Sequence, residues 1–102
     1  MKIYLCLGSN IGDRLTNLGN AKIYLNKHLK ITVIKESKIY ETSPMEKKDQ
    51  DYFLNQVIEI KTDLNAYQLL NYIKEIELIM GRNHMEKKYF PRTIDIDILS
   101  FK

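Results

Sequence analysis

Two aspartates, Asp95 and Asp97, stand two residues apart near the end of this 102-residue chain. In an extended strand, side chains alternate between two faces, so both carboxylates point to one face and the neighbouring isoleucines to the other. Carboxylates this close repel each other unless a cation lies between them, and Mg²⁺ suits such oxygen ligands together with substrate phosphates. The nearby Arg92 suits phosphate oxygens as well. The stretch predicts phosphoryl chemistry, although alternating Ile and Asp is also typical of an ordinary half-exposed strand.

Composition sets broad limits on the class of protein. The length fits one small domain, and a hydrophobic share of 44% is enough for a core. The net charge of +3 fits an anionic small ligand or nucleic acid, and also a diffusely charged surface. Cys6 is the only cysteine, so an internal disulfide is excluded and a cytoplasmic location is expected. The apolar start, residues 1–7, is too short for a signal peptide or a membrane span.

The first half of the chain predicts a strand, a helix and two further β-rich runs. A buried strand over residues 3–7 ends in a turn, and Asp13 then favours a helix N-terminus. The apolar residues predicted for one face of that helix are Leu15, Leu18, Ala21, Leu25 and Leu29. Residues 31–40 and 52–62 are β-rich, and the polar stretch between them predicts a loop.

The second half predicts a helix and a final strand. Asn65 is the expected helix cap and Gly81 the expected stop. The apolar positions between them are Leu69, Ile73, Ile76 and Met80. A charged loop then leads to a strand over residues 93–101. The order βαββαβ predicts an α+β fold, a ferredoxin-like sandwich in which two helices cover one face of an antiparallel sheet, as a single domain over residues 1–102.

This fold leaves one sheet face uncovered by helices. If Ile94, Ile96 and Ile98 pack beneath the helices, Asp95 and Asp97 lie on the open face. The β-run at 52–62 divides in the same way: the residues expected on the open face are Phe53, Asn55 and Val57, and those expected in the core are Leu54, Ile58 and Ile60. Asn55 therefore joins the two carboxylates on the open face.

Four segments of the chain together resemble one family, the 6-hydroxymethyl-7,8-dihydropterin pyrophosphokinases of folate biosynthesis. Each segment is modestly specific, whereas their joint order and spacing are very specific. The segments are Leu7-Gly8-Ser9-Asn10-Ile11-Gly12-Asp13-Arg14, Tyr40-Glu41-Thr42-Ser43-Pro44, Asp49-Gln50-Asp51-Tyr52-Phe53-Leu54-Asn55, and Glu77 through Gly81-Arg82 to Pro91-Arg92-Thr93-Ile94-Asp95-Ile96-Asp97-Ile98-Leu99.

The resemblance implies transfer of pyrophosphate from ATP to the hydroxymethyl group of the pterin, with release of AMP. It implies that Asp95 and Asp97 hold two Mg²⁺ ions on the ATP phosphates, and that Arg82 and Arg92 grip those phosphates as catalytic residues. The remaining ATP contacts that it implies are Glu77, His84, Lys88, Tyr89 and Ile98. The alternative for Arg82 is a solvated cation after a helix, and the alternative for Glu77 is a surface acid paired with Lys74.

On the pterin side, the resemblance implies contacts from Gly8, Thr42, Ser43, Met45, Phe53, Asn55 and Tyr89. The amide of Asn55 can both donate and accept, so it can read the pyrimidinone edge of the ring. Phe53 and Tyr89 can stack on the flat ring, and Gly8 allows close approach of the backbone. The alternatives are that Phe53 is a core aromatic and that Asn55 is an ordinary polar residue at a strand end.

The chain departs from the family pattern at two places. Phe90 stands where the family usually has a glycine, and the sequence stops at Lys102, before a segment that helps family members to bind ATP. We therefore expect some pterin affinity with slow turnover or none.

A monomer with no nucleic-acid or membrane partner is expected. The alternatives are a pterin- or nucleotide-binding module without turnover, and an RNA-binding domain, which two acidic side chains on the open face disfavour.

Overall fold

A computed structural model describes residues 2–43, 52–81 and 93–101 of the chain. In chain order the elements are β1 (Lys2–Ser9), α1 (Arg14–Lys27), β2 (Ile31–Glu36), β3 (Tyr40–Thr42), β4 (Phe53–Thr62), α2 (Ala66–Ile79) and β5 (Asp95–Phe101). No helix within these ranges is long and apolar enough to cross a membrane.

The strands form one antiparallel sheet in the order β2-β4-β1-β5, with β3 also paired to β4. When β2 and β3 are counted as one interrupted strand, the element order is the predicted βαββαβ. The structure thus confirms the α+β fold, and the sheet order is that of a ferredoxin-like sandwich. The two strands predicted to carry the site, β4 and β5, both flank β1.

The interruption between β2 and β3 is bridged by polar contacts to β4. The Ser37 N–H donates to the Val57 carbonyl at 2.8 Å, and the Val57 N–H donates to Ser37 Oγ at 2.9 Å. The buried Gln56 donates to the Ser37 carbonyl at 2.8 Å and accepts from Lys22 Nζ at 2.9 Å. Lys22 also contacts Glu36 Oε1 at 2.9 Å. These contacts hold the segment between β2 and β3 against β4. The chain then pairs with β4 again in β3, where Tyr40 lies opposite Asn55.

Helix α1 begins as predicted, since the Asp13 side chain accepts a hydrogen bond from the Thr16 N–H at 3.1 Å. Its buried residues are Leu18, Ala21 and Leu25. The prediction was wrong for Leu15 and Leu29, which are 59% and 101% exposed. At about 100° per residue, Leu15 lies roughly 90° from the mean direction of the three buried residues. Leu29 follows the end of the helix, so helical spacing does not apply to it.

Helix α2 follows the prediction closely. Asn65 and Gln68 form a reciprocal capping box, with hydrogen bonds of 2.8 and 3.1 Å. Gly81 ends the helix region with a φ of 99°, a conformation that favours glycine. The predicted apolar positions Leu69, Ile73 and Ile76 are buried, and the half-buried Met80 packs against the same core.

The core lies between the helices and one face of the sheet. Its sheet residues include Leu5 and Leu7 of β1, Ile58 and Ile60 of β4, and Ile96 of β5. As expected, Ile94 is also buried, while Leu54 and Ile98 are half-buried against the core. The alternate residues of the same strands therefore occupy the face that the helices do not cover.

Candidate functional site

Four residues form a row across the open face of the sheet. Tyr40 pairs with Asn55, Asn55 pairs with Gly8, and Gly8 pairs with Asp95. Residues paired across strands share a face, so this row extends over β3, β4, β1 and β5. The structure thus brings together three predicted site residues that are distant in sequence.

The two aspartates follow one another along the open face of β5. Asp95 is half-buried and Asp97 is exposed, and Asp97 pairs with Cys6 of β1. Within the described parts of the chain, no group of three or more His, Cys, Asp and Glu residues is arranged to hold a metal. Mg²⁺ is commonly held by one or two carboxylates plus substrate phosphates, so two carboxylates on an accessible strand fit that ion.

Cys6 lies beside both carboxylates. Burial raises the pKa of its thiol above the ordinary value, a hydrogen bond with Tyr40 opposes that rise, and the negative charges of Asp97 and Asp95 add to it. The thiol is therefore held in its neutral form at neutral pH. The negative charges of Asp95 and Asp97 therefore act electrostatically on the open face of β1 around Cys6.

The thiol gives a test of this geometry that needs no ligand. Replacing Asp97 with Asn removes one of the charges that raise the thiol pKa, so we expect the pH midpoint for alkylation of Cys6 to move downward. The measurement is the rate of iodoacetamide labelling against pH, with Asp63→Asn as the control. An unchanged midpoint in Asp97→Asn would mean that this carboxylate does not act on the thiol.

Asn55 is held by a neighbouring side chain. Its Nδ2 donates to Thr42 Oγ1 at 2.7 Å, which fixes the plane of the amide. A Cβ built on Gly8 would lie 3.0 Å from Asn55 Oδ1 and 3.5 Å from Phe53 Cδ1. The missing side chain of Gly8 thus leaves a cradle between an amide oxygen and an aromatic ring.

Glu77 occupies a buried position next to the two aspartates. It is 3% exposed, and its Oε2 accepts a hydrogen bond from the Ile96 N–H at 2.9 Å. The alternative of a surface acid is therefore wrong. Because Ile96 lies between Asp95 and Asp97, this bond holds the segment of strand that carries both carboxylates.

Ile98 presents different groups to the two sides of β5. Its side chain packs partly against the core, opposite the face that carries the aspartates. In an antiparallel edge strand, alternate residues direct their backbone groups to the same edge. The bond from Ile96 to Glu77 marks the edge of β5 away from β1, so the backbone of Ile98 is oriented toward that edge.

Of the other predicted site residues, some are described by the structure and some are not. Thr42 and Ser43 are exposed at the end of β3. Several predicted residues lie outside the described parts of the chain: Met45, Arg82, His84, Lys88, Tyr89, Phe90 and Arg92. Cys6 and Tyr40 were not among the predicted site residues, although counting back two residues from Gly8 and from Thr42 places them on this face.

Comparisons with known proteins agree on one family. A sequence profile of the family described as 7,8-dihydro-6-hydroxymethylpterin-pyrophosphokinase (HPPK) matches residues 4–102. The chain is 50% identical over 98 residues to the 2-amino-4-hydroxy-6-hydroxymethyldihydropteridine pyrophosphokinase of Bacillus subtilis, covering 96% of this chain and 58% of that protein.

Two further relatives show the same pattern. The pyrophosphokinase of the same name from Methylorubrum extorquens is 41% identical over 101 residues, with 99% of this chain and 63% of that protein covered. The folate synthesis bifunctional protein of Arabidopsis thaliana is 41% identical over 100 residues, with 98% and 20% covered. The chain thus spans less than two thirds of the length of each of these relatives.

Proposed function

Since this chain belongs to the 7,8-dihydro-6-hydroxymethylpterin-pyrophosphokinase family, we propose that it transfers pyrophosphate from ATP to 6-hydroxymethyl-7,8-dihydropterin in folate biosynthesis. In this reaction the pterin hydroxyl oxygen bonds to the β-phosphorus of ATP. The bond from that phosphorus to the α–β bridging oxygen breaks, and AMP leaves. The observation that carries the proposal is the row formed by Asn55, Gly8 and Asp95 on the open face.

The row supports a specific placement of the two substrates. Asn55 and Asp95 are separated by two strand spacings, roughly 10 Å, with Gly8 between them. A bicyclic ring lying over Gly8 can bond to the Asn55 amide at one edge and extend its hydroxymethyl arm toward Asp95. Phe53 stacks on the ring, and Thr42 and Ser43 lie along its edge. The resemblance adds a contact from Met45. Positioning of this kind supplies much of the catalysis in phosphoryl transfer.

On the nucleotide side, Asp95 and Asp97 are proposed to hold Mg²⁺, and two ions are expected from the family resemblance. When bound, the metal neutralises charge on the ATP phosphates. The resemblance also assigns ATP contacts to Glu77 and Ile98. The backbone of Ile98 is oriented toward the outer edge of β5, and Glu77 is buried against the same edge through its bond to the Ile96 N–H. The resemblance further assigns phosphate and ATP contacts to Arg82, His84, Lys88, Tyr89 and Arg92, with Tyr89 also facing the pterin.

Asn55→Ala tests the pterin side of the site. It should weaken pterin binding by about 1–3 kcal/mol, because a buried polar edge of the ligand loses its partner. Binding of Mg-ATP should change much less. Calorimetry with each ligand measures the difference, and Asn71→Ala, at an exposed position of α2, is the control. An equal loss for both ligands would indicate damage to the fold and would contradict the assignment.

The same measurements separate the competing functions. Calorimetry with pterin, with a Mg-ATP analogue and with a short RNA distinguishes a folate enzyme from an RNA-binding domain. An assay for AMP release distinguishes an enzyme from a module that binds without turnover. The proposal expects pterin and Mg-nucleotide to bind, RNA not to bind, and AMP to appear. Monomeric state and cytoplasmic location stay predictions.

A further inference from the structure

Arg14 connects two parts of the chain that flank the open face of β4. Its Nη1 donates to the Tyr52 carbonyl at 2.6 Å and to Glu41 Oε2 at 3.2 Å. Glu41 is the middle residue of β3, and Tyr52 directly precedes β4. One nitrogen of a half-buried guanidinium thus joins the middle of β3 to the residue that precedes β4.

The position of Arg14 is unfavourable for its own helix. It is the first residue of α1, directly after the Asp13 cap, where the helix dipole is positive. Acidic residues stabilise a first turn, and cationic residues destabilise it. The ion pair with Glu41 is exposed on the carboxylate side, at 55% relative side-chain exposure, so it contributes little to stability. A residue placed against local preference in this way points to a role outside the helix.

Both residues that Arg14 holds adjoin the pterin cradle. Glu41 precedes Thr42, whose hydroxyl accepts the hydrogen bond that orients Asn55. Tyr52 precedes Phe53, whose ring lies beside Gly8. A shift of either backbone segment would therefore move the amide or the ring that the ligand contacts.

We propose that Arg14 is a positioning residue for the pterin side of the site, an inference that rests on the proposed function. It acts by fixing β3 and the beginning of β4 relative to α1, so that the Asn55 amide and the Phe53 ring are held in place before the ligand arrives. The guanidinium itself contacts Glu41 and Tyr52. It acts on the ligand site only through these two residues and does not touch the ligand.

The test compares Arg14→Met with Arg14→Lys and with Lys30→Met, which removes a charge at an exposed position beyond the other end of α1. Binding of 6-hydroxymethyl-7,8-dihydropterin is measured with saturating Mg²⁺ and α,β-methylene ATP, which blocks transfer. Binding of the nucleotide analogue alone is measured in parallel. Hydrogen exchange of the Glu41 and Thr42 amides and the thermal midpoint are measured without ligand.

Arg14→Met should weaken pterin binding about tenfold, leave nucleotide binding unchanged, and speed exchange in β3 at a nearly constant thermal midpoint. Arg14→Lys should retain more pterin affinity, since one ammonium can donate to both acceptors. Faster exchange with unchanged pterin affinity would overturn the positioning role, and so would equal losses for both ligands. If the parent chain binds no pterin, the proposed function fails and this inference fails with it. If the parent binds and Arg14→Met binds equally well, the inference alone fails.

Discussion

The variants Asp95→Asn and Asp97→Asn are expected to lose Mg²⁺-dependent binding of nucleotide while they remain folded. Each change keeps the shape of the side chain and removes one charged oxygen ligand, and Mg²⁺ prefers such ligands. Losing one partner of a charge-assisted contact costs several kcal/mol, so affinity should fall about 100-fold or more. Without ligand, each variant should remain folded, since removal of one charge relieves the repulsion between the two carboxylates.

A calorimetric titration with ATP in the presence of Mg²⁺ measures the loss of nucleotide affinity. Asp63→Asn is the matched control, because Asp63 is an exposed aspartate in the turn between β4 and α2. Binding of ATP without metal separates loss of the ion from loss of the nucleotide contacts. A folded Asp95→Asn or Asp97→Asn protein that binds Mg-ATP with parent affinity would exclude that residue from the metal site.

Gly8→Val should abolish pterin binding and leave the fold intact. The Cβ alone would lie 3.0 Å from Asn55 Oδ1, and the branches of valine would extend further into the cradle beside Phe53. Overpacking of this kind costs about 1–3 kcal/mol even before the ligand enters, and here the added atoms occupy the place of the ligand. Valine suits a strand, so the change should cost little in backbone conformation.

Pterin affinity and thermal midpoint are the two measurements for Gly8→Val. Gly19→Ala is the matched control, since a Cβ at that position of α1 meets nothing within 4 Å. It should stabilise the protein by about 0.5–1 kcal/mol through helix propensity and leave pterin binding unchanged. Tight pterin binding by a folded Gly8→Val protein would place the ligand elsewhere on the sheet.

The parts of the fold that follow from local chemistry were predictable. Asn65 and Gln68 form a capping box within four residues, and Gly81 has the positive φ that a helix stop requires. The period of two in β5 correctly placed Ile96 in the core and the aspartates on the other face. These features depend on neighbours in sequence, so the sequence alone determines them.

Features that depend on contacts distant in sequence were not predictable. The division of residues 31–42 into β2 and β3 depends on Ser37 and on the buried Gln56, which bonds to it from β4. A β-rich run shows only that strands form, and the sheet register decides where they break.

In the candidate site, too, local features were predictable and contacts between distant residues were not. Alternation predicted that Asn55 and the two aspartates share a face, and the register then showed that Gly8 lies between Asn55 and Asp95. Glu77 follows the buried Ile73 by four residues, so helical spacing brings it near the buried stripe, but its contact with the Ile96 N–H joins residues 19 apart and is not a local feature. The contacts of Arg14 span 27 and 38 residues, a separation that no local pattern reports.

The proposed function requires that this open face direct a pterin hydroxyl to the β-phosphorus of ATP. It is tested most directly by phosphorus NMR of a long incubation with Mg²⁺, ATP and 6-hydroxymethyl-7,8-dihydropterin, with protein in excess over the pterin so that one slow turnover is enough. We expect AMP and the pterin diphosphate in equal amounts, and neither with the Asp95→Asn variant. Formation of ADP with a pterin monophosphate would contradict the proposal, and so would AMP formation by Asp95→Asn at the rate of the parent chain.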